Sequence, residues 1–177
     1  TWDQFSSIAV NAPALPGVTP ESGLSRGYPR GGDFAHVLGY VGPVSDYDLS
    51  KIENPDPVLM LPEFQLGKVG VEAKLETVLR GKAGTRRVEV NSAGREMREL
   101  SRIEGQQGAT VQTTLDARLQ NFATQRLGSE SAAAVVIDVT NGDIVAISSS
   151  PVFDPNMFVR GISGPDYRAL MNHDHRP

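Results

Sequence analysis

The chain has no cysteine and, after Lys82, no lysine. The first absence removes disulfides and thiolate metal ligands, and leaves redox chemistry silent about the compartment. The second bears on catalysis. A serine nucleophile served by a lysine three residues on needs Ser-x-x-Lys, and none of the four lysines follows a serine at that spacing. Ser148, Ser149 and Ser150 lack a Gly-x-Ser-x-Gly elbow too, so they are not read as nucleophiles. Long apolar runs are also missing. The longest, Ala132–Ile137, has six residues, against about 20 for a membrane-spanning helix. No basic, then apolar, leader opens the chain; Thr1-Trp2-Asp3-Gln4-Phe5 reads as the middle of a folded segment, and any anchor or signal is expected upstream. A net charge of -4 argues against general nucleic-acid binding, which depends on neutralising phosphates.

What is present is enough for a core: 177 residues, 39% apolar and 21% charged. A compact domain of this size buries about 70% of its unfolded surface. Residues 1–66 hold eight of the twelve prolines and eight acids against three bases, a composition read as irregular with short strands. Within them Ala35–Val41, ending at Gly42-Pro43, reads as a strand and a turn. Residues 67–108 carry nine bases and six acids. There Val71, Leu75, Val78 and Leu79 share one helical face, predicting a helix over Val71–Arg80 stopped by Gly81. Thr85–Val90 and Glu96–Leu100 flank Asn91-Ser92-Ala93-Gly94 as a hairpin, and the helix face is expected to pack on it.

Residues 109–177 open with a strand-like Thr110–Leu115. Asp116 follows as N-cap of a helix over Ala117–Leu127, stopped at Gly128, with Leu119, Phe122, Ala123 and Leu127 on its buried face. Asn141-Gly142 then reads as a two-residue hairpin turn with positive φ. Its first strand, Ala132–Val139, is apolar on both sides and expects cover from both.

Few candidate sites emerge. His173-Asp174-His175 would need a special loop to chelate a metal, because neighbours two apart do not share a face. His36 reads as a half-buried structural histidine. Gly81-Lys82-Ala83-Gly84-Thr85 fails as a phosphate loop, since Ala83 follows Gly-Lys where Ser or Thr is required. Arg80, Lys82, Arg86, Arg87, Arg95, Arg98 and Arg102 interleave with Glu89, Glu96 and Glu99, which reads as a solvated, salt-linked hairpin face. Asp154-Pro155 starts a turn. No cofactor is expected.

Several motifs nonetheless occur in an order that resembles the class B penicillin-binding proteins of the elongation type, penicillin-binding protein 2. They are Arg26-Gly27-Tyr28-Pro29 with His36, Gly39 and Tyr40; Gly67, Gly70 and Glu72 with Leu79, Arg80, Gly81 and Gly84; and Val88–Arg95. Asp116 and Gln120 look like the opening of the transpeptidase domain, Ala132–Asn156 with Asn141 and Gly142 its first hairpin, and Asp154-Pro155-Asn156 the approach to its nucleophile. The resemblance implies an α+β fold: an elongated pedestal of short strands with a helix and a hairpin over residues 1–108, then the first part of a transpeptidase domain over residues 109–177. It implies a parent enzyme on the periplasmic face of the bacterial inner membrane, held by an N-terminal anchor outside this chain. That enzyme cross-links peptidoglycan stem peptides by serine acyl transfer and is acylated by β-lactams. Since Ser-x-x-Lys, Ser-x-Asn and Lys-Thr-Gly are all absent from these residues, the chain is expected to supply scaffold without catalysis. The alternative reading makes residues 1–108 a docking module for partners such as a RodA-type glycosyltransferase and an MreC-type scaffold protein.

Overall fold

The computed structural model describes residues 2–15, 18, 23–62, 64–92, 94, 96–175 and 177. In chain order its elements are α1 (Trp2–Asn11), α2 (Ala35–Leu38), β1 (Val41–Pro43), α3 (Asp46–Ser50), β2 (Gln65–Gly67), α4 (Gly70–Lys74), α5 (Glu76–Arg80), β3 (Thr85–Val90), β4 (Glu96–Ile103), α6 (Ala117–Leu127), β5 (Ala132–Ile137), β6 (Ile144–Ser150) and α7 (Gly164–Met171), with short 3-10 turns between some of them. The strands form three separate antiparallel pairs, β1 with β2, β3 with β4 and β5 with β6. Helices alternate with these pairs, the mixed α+β class expected from the sequence.

The proline-rich first third holds more helix than its composition implies. α1 occupies a proline-free stretch ending just before Pro13, and Asp3 lies in its first turn, where a negative charge favours helix. The expected strand Ala35–Val41 is also corrected. Residues 35–38 are helical, Gly39 reverses the chain at φ 73°, and only Val41–Pro43 pairs, with β2. Gly39 is indispensable at that turn, because a Cβ there would lie 2.0 Å from the Val69 carbonyl oxygen. Gly70, at φ 65°, comes within the same crossing, its missing Cβ 2.6 Å from the Val37 oxygen. The two glycines let the end of α2 and the start of α4 touch through their backbones.

The helix predicted over Val71–Arg80 is two helices. Leu75 takes φ -110° and ψ 21° between α4 and α5, breaking the expected apolar face. Glu72 is buried while Val78 is exposed, and α4 packs on β2 and α2 rather than on the β3–β4 hairpin. Periodicity could not show this, because the partner that draws Glu72 inward lies 46 residues away.

The hairpin itself forms as predicted, with register Thr85↔Ile103 through Val90↔Glu96. Gly94 donates to the Asn91 carbonyl in its turn; Ala93 and Arg95 lie outside the described residues. Thr110–Leu115, by contrast, is no strand. It touches β6 through Thr114 Oγ1 donating to Ile144 O, and just beyond it Asp116 N donates to Val145 O, too few bonds for a ladder.

α6 follows its sequence signals closely. Asp116 Oδ1 accepts from the N–H groups of Arg118 and Leu119 at 2.8 and 2.9 Å, and Gly128 terminates the helix at φ 57°. Its face is rotated from expectation: Gln120 and Ala123 are buried and Phe122 is 61% exposed. The following turn is longer than two residues. Asp138 N donates to Asp143 O, β5 ends at Ile137, and Gly142 alone has positive φ, with Asn141 Nδ2 bonded to Asp143. β5 is exposed along nearly its whole length, whereas β6 buries alternate residues against α6.

Candidate functional site

The motif residues of the first third meet in one polar network. Tyr28 is buried beside Val41 and Val159. Its hydroxyl accepts from Val41 N at 2.9 Å and donates to Glu72 Oε1 at 3.3 Å. Glu72 in turn holds Arg26 by two contacts, Nε–Oε1 at 2.9 Å and Nη2–Oε2 at 3.0 Å, a fork matched to the flat guanidinium. Burial, with the Glu72 charge adding to it, pushes the Tyr28 phenol well above its usual 10.0, so the network keeps Tyr28 a neutral donor.

That network is tied to the C-terminal segment by side-chain amides. Asn156 Oδ1 accepts from Tyr28 N at 2.9 Å and its Nδ2 donates to Tyr28 O at 3.0 Å, so one amide pairs with both backbone groups of residue 28. Asp154 positions Asn156 by accepting from its backbone N–H and its Nδ2. Pro155 is fully buried beneath them. Pro29 sits at the second position of the turn closed by Gly31 N donating to Tyr28 O, where its fixed φ is suited.

Gln120 repeats the device. It is 1% exposed. Its Oε1 accepts from Ile147 N at 2.9 Å, and its Nε2 donates to Ile147 O at 2.6 Å and to Asp33 O at 2.7 Å. The side chain thus pairs with β6 as a neighbouring strand would and reaches across to residue 33. Asn121 adds a bond to the Asp33 carboxylate. Four rings complete the junction: Tyr40 stacks on Phe158 at 4.0 Å between centroids, and Phe153 meets His36, Tyr40 and Phe158 edge-on. His36, expected to be half-buried, is exposed and on a helix, with Nε2 3.0 Å from Pro151 O.

Some of the other predicted residues border this network and others lie away from it. Gly67 lies where a Cβ would meet the Glu72 carbonyl at 2.1 Å, and Gly81 and Gly84 bring residues 81–84 against 103–108. Leu79 and Arg80 line a cavity of about 500 Å³ with Arg26 and Glu72. Asn141 and Gly142 shape only their own turn. Sequence reasoning passed over Gln65, whose Nε2 donates to Val159 O at 2.9 Å, as well as Asp33, Phe153 and Phe158. No local signal marks Gln65 or Asp33, whose partners lie 94 and 87 positions away, and the Phe153–Phe158 contact is completed by Tyr40 from the other end of the chain.

The chemistry of this arrangement is that of a clamp. Ser148 Oγ lies 2.9 Å from Thr124 Oγ1 and Ser150 Oγ donates to Gly128 O, so these buried hydroxyls have structural partners. Among the described residues no cluster of three or more His, Cys, Asp or Glu could hold a metal, and no helix is long and apolar enough to cross a membrane.

Residues 1–113 match the family described as Penicillin-binding Protein dimerisation domain, and the chain belongs to that family. It is 38% identical over 175 residues to the peptidoglycan D,D-transpeptidase MrdA of Escherichia coli K12, covering 98% of this chain and 28% of that protein. Among solved structures, it is similar to PBP2 of Pseudomonas aeruginosa, with 31% identity, a TM-score of 0.70, and coverage of 88% of this chain and 30% of that one. It is also similar to PBP2 of Helicobacter pylori in its complex with MreC, with 28% identity, a TM-score of 0.74, and coverage of 97% and 32%. The chain thus spans less than a third of the length of these relatives. The family read from the motif order and the α+β class both stand.

Proposed function

We propose that this chain is the scaffold of a peptidoglycan D,D-transpeptidase of the penicillin-binding protein 2 type: residues 1–108 a pedestal, residues 109–177 the opening of the transpeptidase domain. The parent cross-links stem peptides during cell elongation by serine acyl transfer and is acylated by β-lactams, from the periplasmic face of the inner membrane. The observation carrying this reading is that Arg26, Tyr28, Glu72, Asp154 and Asn156 join in one network, while Gln120 separately ties β6 to residue 33. Residues that carry the family likeness from both ends of the chain are the ones holding it together. Gly39 and Gly70 belong to the same reading through their backbone crossing, while Asp116, Asn141 and Gly142 shape the helix and hairpin that follow. The role of the pedestal is to fix the segment 154–156 from which the chain proceeds towards a nucleophile.

Docking is the second part of the proposal. An MreC-type scaffold protein binds residues 1–108, supported by the likeness to a PBP2 that forms such a complex, and a RodA-type glycosyltransferase engages the same portion. A fluorescent penicillin distinguishes scaffold from catalyst. The 177-residue chain should take no label, whereas the full-length gene product should be labelled at one serine. A stoichiometric acyl adduct on this chain, or none on the full-length protein, would overturn the reading.

A further inference from the structure

We propose that Glu72 is a positioning residue for the 3-10 turn Pro155–Phe158, although it lies on α4 and acts on that turn only through other residues. Among the described residues two routes of hydrogen bonds lead from its carboxylate to the turn. The first runs through Tyr28, whose hydroxyl donates to Glu72 Oε1 while its backbone N–H and carbonyl are both paired with the Asn156 amide. The second runs through Arg26. Its guanidinium forks onto Glu72, its backbone N–H donates to Gln65 Oε1 at 3.3 Å, and Gln65 Nε2 donates to Val159 O. Asn156 and Val159 are joined in their turn, since Val159 N donates to Asn156 O. One carboxylate thus holds the turn at two points.

Stiffness lets these routes transmit a change. Tyr28 is buried with Val41 and Val159, and a buried hydroxyl that loses its acceptor is costly, so the ring shifts rather than stays. The backbone of residue 28 has little freedom to absorb that shift. Pro29 follows it and restricts its torsions, and its carbonyl also accepts from Gly31 N. The displacement passes to Asn156, whose side chain Asp154 braces from the far side. Charge matters as much as shape here, because the fork from Arg26 draws its strength from an anion. A neutral amide at residue 72 would keep the size and lose the fork. The inference deepens the function proposed above and rests on it in one respect, that a nucleophile follows the turn; the coupling itself uses only the network.

The test is amide hydrogen exchange on the 177-residue chain carrying Glu72→Gln. Exchange at Met157 and Val159, whose N–H groups close the turn, should quicken by about tenfold, while the amides of β6 and of the β3–β4 hairpin keep their rates. Unchanged rates at Met157 and Val159 would overturn the proposal, and so would equal acceleration throughout the chain, the mark of plain destabilisation. Should Glu72→Gln unfold, Tyr28→Phe removes a single hydroxyl and one of the two routes, and the same local pattern at Met157 and Val159 decides. The full-length gene product adds a second readout. Glu72→Gln should slow its acylation by a saturating fluorescent penicillin by about tenfold and leave the half-saturating concentration unchanged. A loss confined to half-saturation would count against positioning. No label on the unsubstituted full-length protein would overturn the functional reading alone, and the exchange pattern would still decide the coupling.

Discussion

Arg26 with Glu72 and Arg98 with Glu89 are the same chemical pair in two settings. Glu72 has 10% of its side chain exposed, accepts from Arg26 and Tyr28, and so joins residues from three parts of the chain. Arg98 and Glu89 are 72% and 49% exposed on the β3–β4 hairpin, beside Arg86, Glu96, Glu99, Arg102 and Glu104 in a chain of surface ion pairs. The hairpin is rich in charge, and every residue of β4 is exposed. The comparison teaches that the number of ion pairs says little about stability. Removing one partner from a buried pair leaves a desolvated charge, whereas at the surface water takes its place.

Glu72→Ala should give the largest effect, about 3 kcal/mol by denaturant unfolding, the low end for a broken buried pair because Arg26 is 39% exposed. A loss below about 1 kcal/mol would make the buried pair no different from a surface one. Gln120→Ala comes next, at about 2 kcal/mol, since it leaves Ile147 N–H unpaired and takes a donor from the carbonyls of residues 33 and 147. Faster amide exchange at residues 145–149 with α6 amides unchanged would place the loss at β6.

Asp116→Ala should lower the melting temperature by about 2–4 °C, the shift a lost helix cap causes in a chain of this size. Here the pH dependence has a definite sign. The N–H groups of Leu119 and then Arg118 hold the Asp116 carboxyl below its usual 3.8. Its stabilisation is therefore complete above that value and lost as pH falls through the depressed folded value. The gap between the original and Asp116→Ala chains should close in acid; a gap that widened would reverse the assignment. Smallest of all, Arg98→Ala should change stability by less than about 0.5 kcal/mol, and 1 M salt should remove the difference.

The legible parts of the fold share one property: their signals are local. Asp116 and Gly128 bracket α6 because a cap needs only the next few N–H groups and a terminating glycine only its own φ. Thr85–Val90 and Glu96–Ile103 pair across a short turn for the same reason. Failures came where local preference met distant partners. Ala35–Leu38 has the residues of a strand, yet Gly39 and Gly70 bring its end against the start of α4, and it is helical. Gln120 shares its helix with Leu119 and Phe122, and only β6 and Asp33 make it the better residue to bury. The motif order identified the family and marked Arg26, Tyr28, Glu72 and Asn156, but not that they touch.

By itself the sequence determined the helix caps, the β3–β4 hairpin, the absence of a Ser-x-x-Lys pair within these residues and the family. All of these are written in contiguous residues or fixed spacings. The tertiary structure alone decided which polar residues are buried and what they hold. Asn156 reaches Tyr28 across 128 positions and Gln120 reaches Asp33 across 87, and a polar side chain is buried favourably only where a partner from elsewhere meets its hydrogen bonds.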